Sequence, residues 1–518
     1  MMRWGEVHER CMRWENSTVR TLGMVELMFG LLLLIPAAFA LYYGEDTLPF
    51  LAPVPVLLVL GFLQYLTCRE SRSFRAVNGV VLVALVWLLM FAICTVPYAL
   101  SGINLVDAIF ESVSGITTTG MTVMSDLGSM ATSLLIWRSM AEWIGGITVV
   151  IIFLYFLPMV GFGRSLFQNE LAGSGNSNYV QRTSKAARSF IVTYLLLSLA
   201  NLALLLLCGV APVEALCLMF TTISTGGLMM FDSGLGMYSD WVQWVTILFM
   251  FLGGTNFYLH FRKVYMREKR VYSTNSEFKM MIAWFVGIAL ILFVFLVADM
   301  SSSGAEITLG NLYETFKNAL FTTVSLGTTT GFYVVDFTLW PSQCMVLLMF
   351  VAVIGASSSS TSGGIKFSRI RIVYEYIKNG FRGILHGNAV YSVKIDGRTV
   401  DDSLIRSTLV VVMMYLASLA VAALIFMIYG YDMIDSLGLA ISVLTNGGMG
   451  FGNFGPSGSI ADLSNDLKII ITVMMWIGRL EIVTAVLMFT PAFWKEVWLN
   501  SRAKRLAKRY VPGRFKRD

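Results

Sequence analysis

Apolar residues run in long blocks along this chain, parted by short polar stretches, and the block lengths fix the kind of element before any motif is considered. The first block, about Leu22 to Tyr43, is followed by others at about 52–67, 79–99, 132–160, 188–210, 241–263, 279–299, 341–375, 404–430 and 467–492, so about ten bilayer-crossing helices are expected. The first block exceeds the roughly 7–15 residue core of a secretory leader and reads as a retained helix.

Between some of these blocks lies an amphipathic stretch too short to cross, each time leading into a Gly/Thr/Ser-rich segment. Four copies occur: Phe110 to Gly120, Phe220 to Gly226, Phe321 to Gly331 and Ala440 to Gly448. Their closing glycines are 106, 105 and 117 residues apart (226 − 120, 331 − 226, 448 − 331). An acidic residue follows the glycine in the first three copies (Asp126, Asp232, Asp336) and not in the fourth. The repeated unit is helix, short re-entrant helix, glycine-bearing loop, helix.

Composition agrees with a membrane class. Of 518 residues 56% are apolar and 14% charged, against about 25% charged in a soluble domain. The net charge of +6 is modest, so nucleic acid is not an expected partner. Basic residues cluster in alternate loops: Arg3, Arg10, Arg13 and Arg20; Arg69, Arg72 and Arg75; Arg164, Arg182, Lys185 and Arg188; Arg262, Lys263, Arg267, Lys269 and Arg270; and the tail from Arg502 to Arg517. If every block crosses once, these fall on one side, which places both termini in the cytoplasm. The opposite loops are nearly free of Lys and Arg, Lys317 being the main exception, but carry Glu45, Asp46, Asp107, Glu111, Asp126, Glu214, Asp232, Asp336, Asp432 and Asp435, an outer face that concentrates cations. Six scattered cysteines without C-x-x-C spacing indicate neither a disulfide framework nor a zinc site. His8, His260 and His386 are far apart, and no nucleophile and base stand together, so an enzyme is not expected.

Irregular backbone in a bilayer is tolerated only where it is buried in protein or lines water. A ring of four loops meets that condition. Successive carbonyls can replace the hydration shell of a monovalent cation, glycine permits the positive φ that alignment requires, and threonine hydroxyls add oxygens. The re-entrant helices aim their C-terminal ends, with their partial negative charge, at the same place. The candidate ion-binding residues are Thr118, Thr119 and Gly120; Ser224, Thr225 and Gly226; Thr329, Thr330 and Gly331; and Asn446, Gly447 and Gly448. The plainer reading, ordinary turns or small residues at helix contacts, suits one such segment better than four in matching positions.

These residues resemble the Trk/Ktr family of potassium-translocating membrane subunits, relatives of the plant HKT transporters, and are closest to the Trk type. The resemblance covers nearly the whole chain, including two extra N-terminal helices. It is carried by Phe110-Glu-Ser-Val-Ser-Gly-Ile-Thr-Thr-Thr-Gly-Met121, Trp137-Arg138 with Trp143-Ile-Gly-Gly146, Leu252-Gly-Gly-Thr-Asn-Phe257, Gly363-Gly-Ile-Lys366, Leu385-His-Gly-Asn-Ala-Val-Tyr391 and Gly478-Arg-Leu-Glu481. It implies an all-α polytopic protein of a prokaryotic inner membrane: two N-terminal helices, then four repeats in pseudo-fourfold arrangement around one pore. It also implies a homodimer, potassium as the bound and transported ion, no nucleotide on this chain, and a cytosolic nucleotide-binding regulatory ring (TrkA-like) as partner. In this family serine in place of the first filter glycine goes with sodium selectivity, so glycine at Gly120, Gly226, Gly331 and Gly448 implies potassium. Two departures stand out. Gly227 follows Gly226 directly, and Gly447 stands where relatives tend to have a larger residue.

The expected organisation is 1–75 for the N-terminal segment and extra helices, 76–165, 182–270 and 278–375 for three pore repeats, 376–403 for a cytoplasmic loop, 404–495 for the fourth repeat and 496–518 for a basic tail. The block 341–375 is interrupted by Gly355, Ala356, Ser357, Ser358, Ser359, Ser360, Thr361, Ser362, Gly363 and Gly364, with Lys366 just beyond. No stable helix in lipid continues through that stretch, and by the resemblance it is the intramembrane loop that gates conduction; a small-residue helix kink is the alternative. Arg479 lies mid-way along the last block, where a charge is costly, and is expected to face the pore beneath the filter near that loop, or to satisfy carbonyls of the broken helix. Glu481, about 200° around a continuous helix, would need a separate partner. Arg138 is expected to anchor the first pore loop through Glu111 or a carbonyl. Lys378, Arg382, Lys394 and Arg398 give 376–404 a basic surface suited to a regulator, or merely the charge bias of a cytoplasmic loop. The G-x-G-x-x-G match at Gly450 to Gly455 follows a pore loop rather than a strand and carries no nucleotide reading. Competing functions are a secondary solute transporter with a mid-membrane site, a less selective sodium/potassium transporter and, least supported, a membrane-embedded enzyme.

Overall fold

A computed structural model describes residues 13–68, 76–156, 179–304, 306–385, 392–495 and 497. Outside them fall His8, His386, most of the Leu385–Tyr391 motif, the basic clusters at 69–75 and around Arg164, and the basic tail. The described residues are mainly helical, with one two-stranded hairpin, Lys394–Ile395 with Arg398–Thr399.

We number the main helices α1 Arg13–Leu32, α2 Leu34–Tyr43, α3 Pro53–Thr67, α4 Ala76–Leu100, α5 Leu105–Ile116, α6 Thr132–Phe156, α7 Tyr179–Leu207, α8 Pro212–Ile223, α9 Asp240–Gly253 and α10 Phe257–Val264. They continue with α11 Ser276–Ser302, α12 Leu309–Gly327, α13 Ser342–Ile354, α14 Phe367–Leu385, α15 Asp402–Ile428, α16 Met433–Thr445, α17 Asn465–Arg479 and α18 Ile482–Met488. Among the described residues six helical stretches are long and apolar enough to cross a membrane: Ser17–Tyr43, Leu48–Thr67, Gly79–Leu100, Phe190–Leu207, Ser276–Ser302 and Asp402–Ile428. The chain is a multi-pass membrane protein.

The N-terminal pair, α1 and α3, crosses where Gly23 faces Gly61, each leaving no room for a Cβ against the other's carbonyl. Close approach of this kind suits lipid, where apolar area alone does not drive helices together. Gln64 donates to Glu26 at 3.1 Å across that crossing.

Each of α5, α8, α12 and α16 is a re-entrant helix, and the first three are entered through a local start signal. The Asn104 side chain accepts from the Val106 amide and Thr308 from that of Asn311, while Pro212 opens α8. Four helices follow the loops, and three of them are broken where the sequence predicts one break. α9 and α10 meet at 100° and α17 and α18 at 114°, and the third is interrupted over 355–366. Only α6 is continuous. The expected single spans at 241–263 and 467–492 are thus corrected. At the first, Gly253-Gly254 releases the helix and the Asn256 side chain caps the next one, accepting from the Tyr258 amide at 2.9 Å. At the second, Glu481 sits at φ +62°.

Candidate functional site

The four re-entrant helices end alike. A residue in the left-handed region follows each: Thr118 (φ 53°), Thr225 (53°), Thr329 (55°) and Asn446 (54°). Its amide and the next close the turn on carbonyls three and five residues back, as in Thr118 to Gly115 and Thr119 to Ser114, both at 2.9 Å. This is a Schellman ending with threonine where glycine is usual. A β-branched residue there is strained, and repeating that strain three times, with asparagine in the fourth loop, marks a geometry the surrounding structure imposes.

Two positions on, the backbone turns positive again at Gly120 (φ 77°), Gly227 (89°), Gly331 (82°) and Gly448 (68°). The second loop therefore aligns one residue later than the sequence suggests: Gly227, not Gly226, is the counterpart of Gly120, and Gly226 takes the place of Thr119. The repeat has to be counted from the helix ends, Ile116 and Ile223, rather than from the first glycine.

These glycines close a ring. A Cβ on Gly120 would overlap the carbonyl oxygen of Gly226, one on Gly227 that of Thr330, one on Gly331 that of Gly447, and one on Gly448 that of Thr119. Each loop thus lies against the next, and the fourth against the first. Glycine is required twice over, by φ and by the neighbouring carbonyl. The glycines of the following helices let the pore helices approach: Gly145 faces the Ile116 carbonyl, Gly253 that of Ile223 and Gly478 that of Leu444.

Side chains differ among the loops. Thr117 and Thr119 share a hydroxyl contact of 2.7 Å, and Thr328 and Thr330 one of 2.8 Å. Asn446 instead donates sideways, to the Thr119 hydroxyl and the Met475 carbonyl, both at 2.9 Å. Ser224 turns back on its own helix, to the Phe220 carbonyl at 2.8 Å.

Behind the first loop lies a buried ion pair. Arg138 donates from Nε to Glu111 at 3.1 Å and from Nη2 to Thr122 at 2.8 Å, and Glu111 also accepts from the Val123 amide at 2.7 Å. Arg138 and Glu111 anchor the first loop as expected from sequence, and Nη1 extends the contact to the Met229 carbonyl after the second loop.

The segment Gly355 to Gly364 is packed against the inner ends of the loops. Thr225 donates to Thr361 at 3.0 Å, and the Gly363 amide donates to the Thr329 hydroxyl at 2.8 Å. Thr361 also reaches the Gly253 carbonyl (3.1 Å), and the Ser357 amide that of Gly254 (3.0 Å), both at the α9–α10 break. The Phe257 amide donates to Ser359 (3.2 Å), while Ser360 bonds to Ser362 (2.8 Å). Beneath it the Glu277 carboxyl accepts from the Ser357 hydroxyl and the Ser358 amide, both at 2.9 Å. Lys366, buried and at φ +80°, closes the segment.

Arg479 ends α17 rather than lying mid-helix, and donates from Nη1 to the Thr361 carbonyl at 3.0 Å. Its Nε and Nη2 are buried without a partner among the described residues. Glu481, beyond the break, pairs with Arg369 of α14 at 2.7 Å. Glu277, Asn256 and Glu142, buried in α6, were missed from sequence; for the two glutamates the signal was a carboxylate in or beside an apolar block.

A family model described as TrkH, cation transport protein, matches residues 50–496. The Trk system potassium uptake protein TrkH of Salmonella typhimurium is 29% identical over 493 residues, covering 93% of this chain and 99% of that protein. TrkH of Halomonas elongata is 30% identical over 494 residues (92% and 99%), and TrkG of Escherichia coli 28% over 481 (91% and 97%). The crystal structure of the potassium transporter TrkH from Vibrio parahaemolyticus superposes with a TM-score of 0.82 at 28% identity, covering 92% of this chain and 99% of that one.

Proposed function

The chain belongs to the TrkH family of cation transport proteins, and we propose that it carries potassium ions into the cell through the ring of four loops. The observation that carries this reading is the closed ring itself, in which each filter glycine leaves room for the next loop's carbonyl. The relatives are named potassium uptake proteins, and glycine occupies all four filter positions.

Cations gather at the acidic outer face and exchange water for loop carbonyls held in place by the rings of contacts behind them. The strained threonines below lead to the segment 355–364, which is the gate. It is held closed by one hydrogen bond each to Thr225 and Thr329 and by several to the α9–α10 break and Glu277, each worth about 1 kcal/mol, so the closed state is stable yet reversible. Arg479 adds a positive charge under the filter, so that moving the segment away also moves the group that fixes that charge. No covalent step is involved, and the membrane potential drives entry with about 2.3 kcal/mol per charge per 100 mV.

In this reading both termini lie in the cytoplasm, two copies associate, and the basic surface of 376–403 receives a cytosolic nucleotide-binding regulator. The test is potassium uptake by cells that lack their own uptake systems, expressing this chain with and without its regulator. Growth at low potassium that sodium does not replace supports the proposal; equal rescue by either ion supports the less selective alternative.

A further inference from the structure

The residue before each filter glycine is handled in three ways. In loops one and three it is Thr119 or Thr330, whose hydroxyl folds back on Thr117 or Thr328. In loop four it is Gly447, where an added Cβ would lie 3.0 Å from the buried, unpartnered hydroxyl of Thr445 and no closer than 3.8 Å to anything else. In loop two it is Gly226, and an added Cβ would overlap the carboxyl of Glu142.

Glu142 comes from α6, a helix of the first repeat, and is 0% exposed. Both of its oxygens lie 3.2 Å from the amide of Leu228, the residue after Gly227. It therefore touches the loop on both sides of the filter glycine. Arg138, one turn earlier on the same helix, is engaged with Glu111. Glu142 acts on the loop through shape and one accepted hydrogen bond.

We propose that Glu142 and Gly226 form a selectivity-determining pair, in which the carboxyl supplied by the first repeat stands in for the threonine side chain that the second loop lacks. Glu142 is a positioning residue: it fills the space behind Gly226, holds the Leu228 amide, and so fixes where the Gly226 and Gly227 carbonyls stand. The pair rests on the reading of the loops as a potassium filter.

The test is the potassium-to-sodium permeability ratio, from reversal potentials in planar bilayers, for the intact protein, E142A, G226T, E142A/G226T and E142Q. Each variant is first checked for a single species by size exclusion. E142A opens a gap and G226T creates an overlap, so each lowers the ratio on the order of tenfold, while the double variant, with a threonine where the carboxyl was, returns toward the intact value. E142Q keeps an acceptor for Leu228 and recovers most of what E142A loses. An unchanged ratio in E142A, or a double variant no more selective than the worse single one, overturns the pair. E142Q as poor as E142A assigns the role to charge and overturns it too. No potassium preference in the intact protein overturns the filter reading itself, an outcome distinct from the others.

Discussion

Arg479 donates to the carbonyl of Thr361 at 3.0 Å, so the last helix of the fourth repeat holds the interrupted helix of the third. The side chain of that same residue, Thr361, accepts from Thr225 of the second loop. The Arg479 charge, the segment 355–364 and the second loop are therefore in direct contact. Replacing Arg479 by alanine removes both the positive charge and the restraint, and is expected to raise steady cation flux on the order of tenfold, about 1.4 kcal/mol of barrier. Unchanged flux and single-channel conductance in R479A would remove Arg479 from the gate.

The Arg138–Glu111 pair is 1% and 0% exposed, so breaking it leaves a buried charge alone. R138M is expected to cost about 3–5 kcal/mol, read as a lower unfolding temperature in detergent, and E111Q/R138M to recover part of that loss. Equal stability of R138M and the intact protein would show that the pair does not anchor the loop.

Adjacent glycines in the fourth loop separate two requirements. Gly448 has φ +68° and faces the Thr119 carbonyl, whereas a Cβ at Gly447 meets chiefly the Thr445 hydroxyl. G447S is expected to fold and keep potassium preference, its hydroxyl giving Thr445 a partner, while G448S loses selectivity on the order of tenfold. Equal effects of the two would mean that the ring contact does not set ion preference.

How much of this was legible in the sequence depends on the kind of signal. The helical class, the four repeats and the break at 355–364 follow from block length and from glycine and serine runs, which are local. The register of the second loop was not legible, because Gly226 and Gly227 are chemically alike and only the folded backbone, by its φ at Gly227 and the seam against Thr330, tells them apart. The breaks after Gly253 and Arg479 were hidden for a related reason: apolar composition continues through them, and the turn is set by contacts with 355–364 and by the Glu481–Arg369 pair. Arg138 with Glu111 was legible, since a buried charge demands a partner.

In the loop after the third Gly/Thr segment, burial raises the Asp336 carboxyl, but hydrogen bonds from Ser457 and from the Thr338 hydroxyl and amide outweigh it and hold the group below its ordinary 3.8. A carboxyl lowered in the folded state stabilises that loop above its ordinary value and ceases to do so as pH falls through the lowered one. Hydrogen-exchange protection around 336–338 is therefore expected to be flat near neutrality and to fall only in strong acid. Protection that grows on acidification would contradict this.

The most direct test of the filter is cation flux into liposomes carrying the purified chain under a potassium diffusion potential, for the intact protein and for Gly120→Ser. A Cβ at Gly120 overlaps the Gly226 carbonyl, so the intact chain should pass potassium in preference to sodium and the variant should lose that preference while still conducting. Potassium preference that survives unchanged in the variant would contradict the account of the ring.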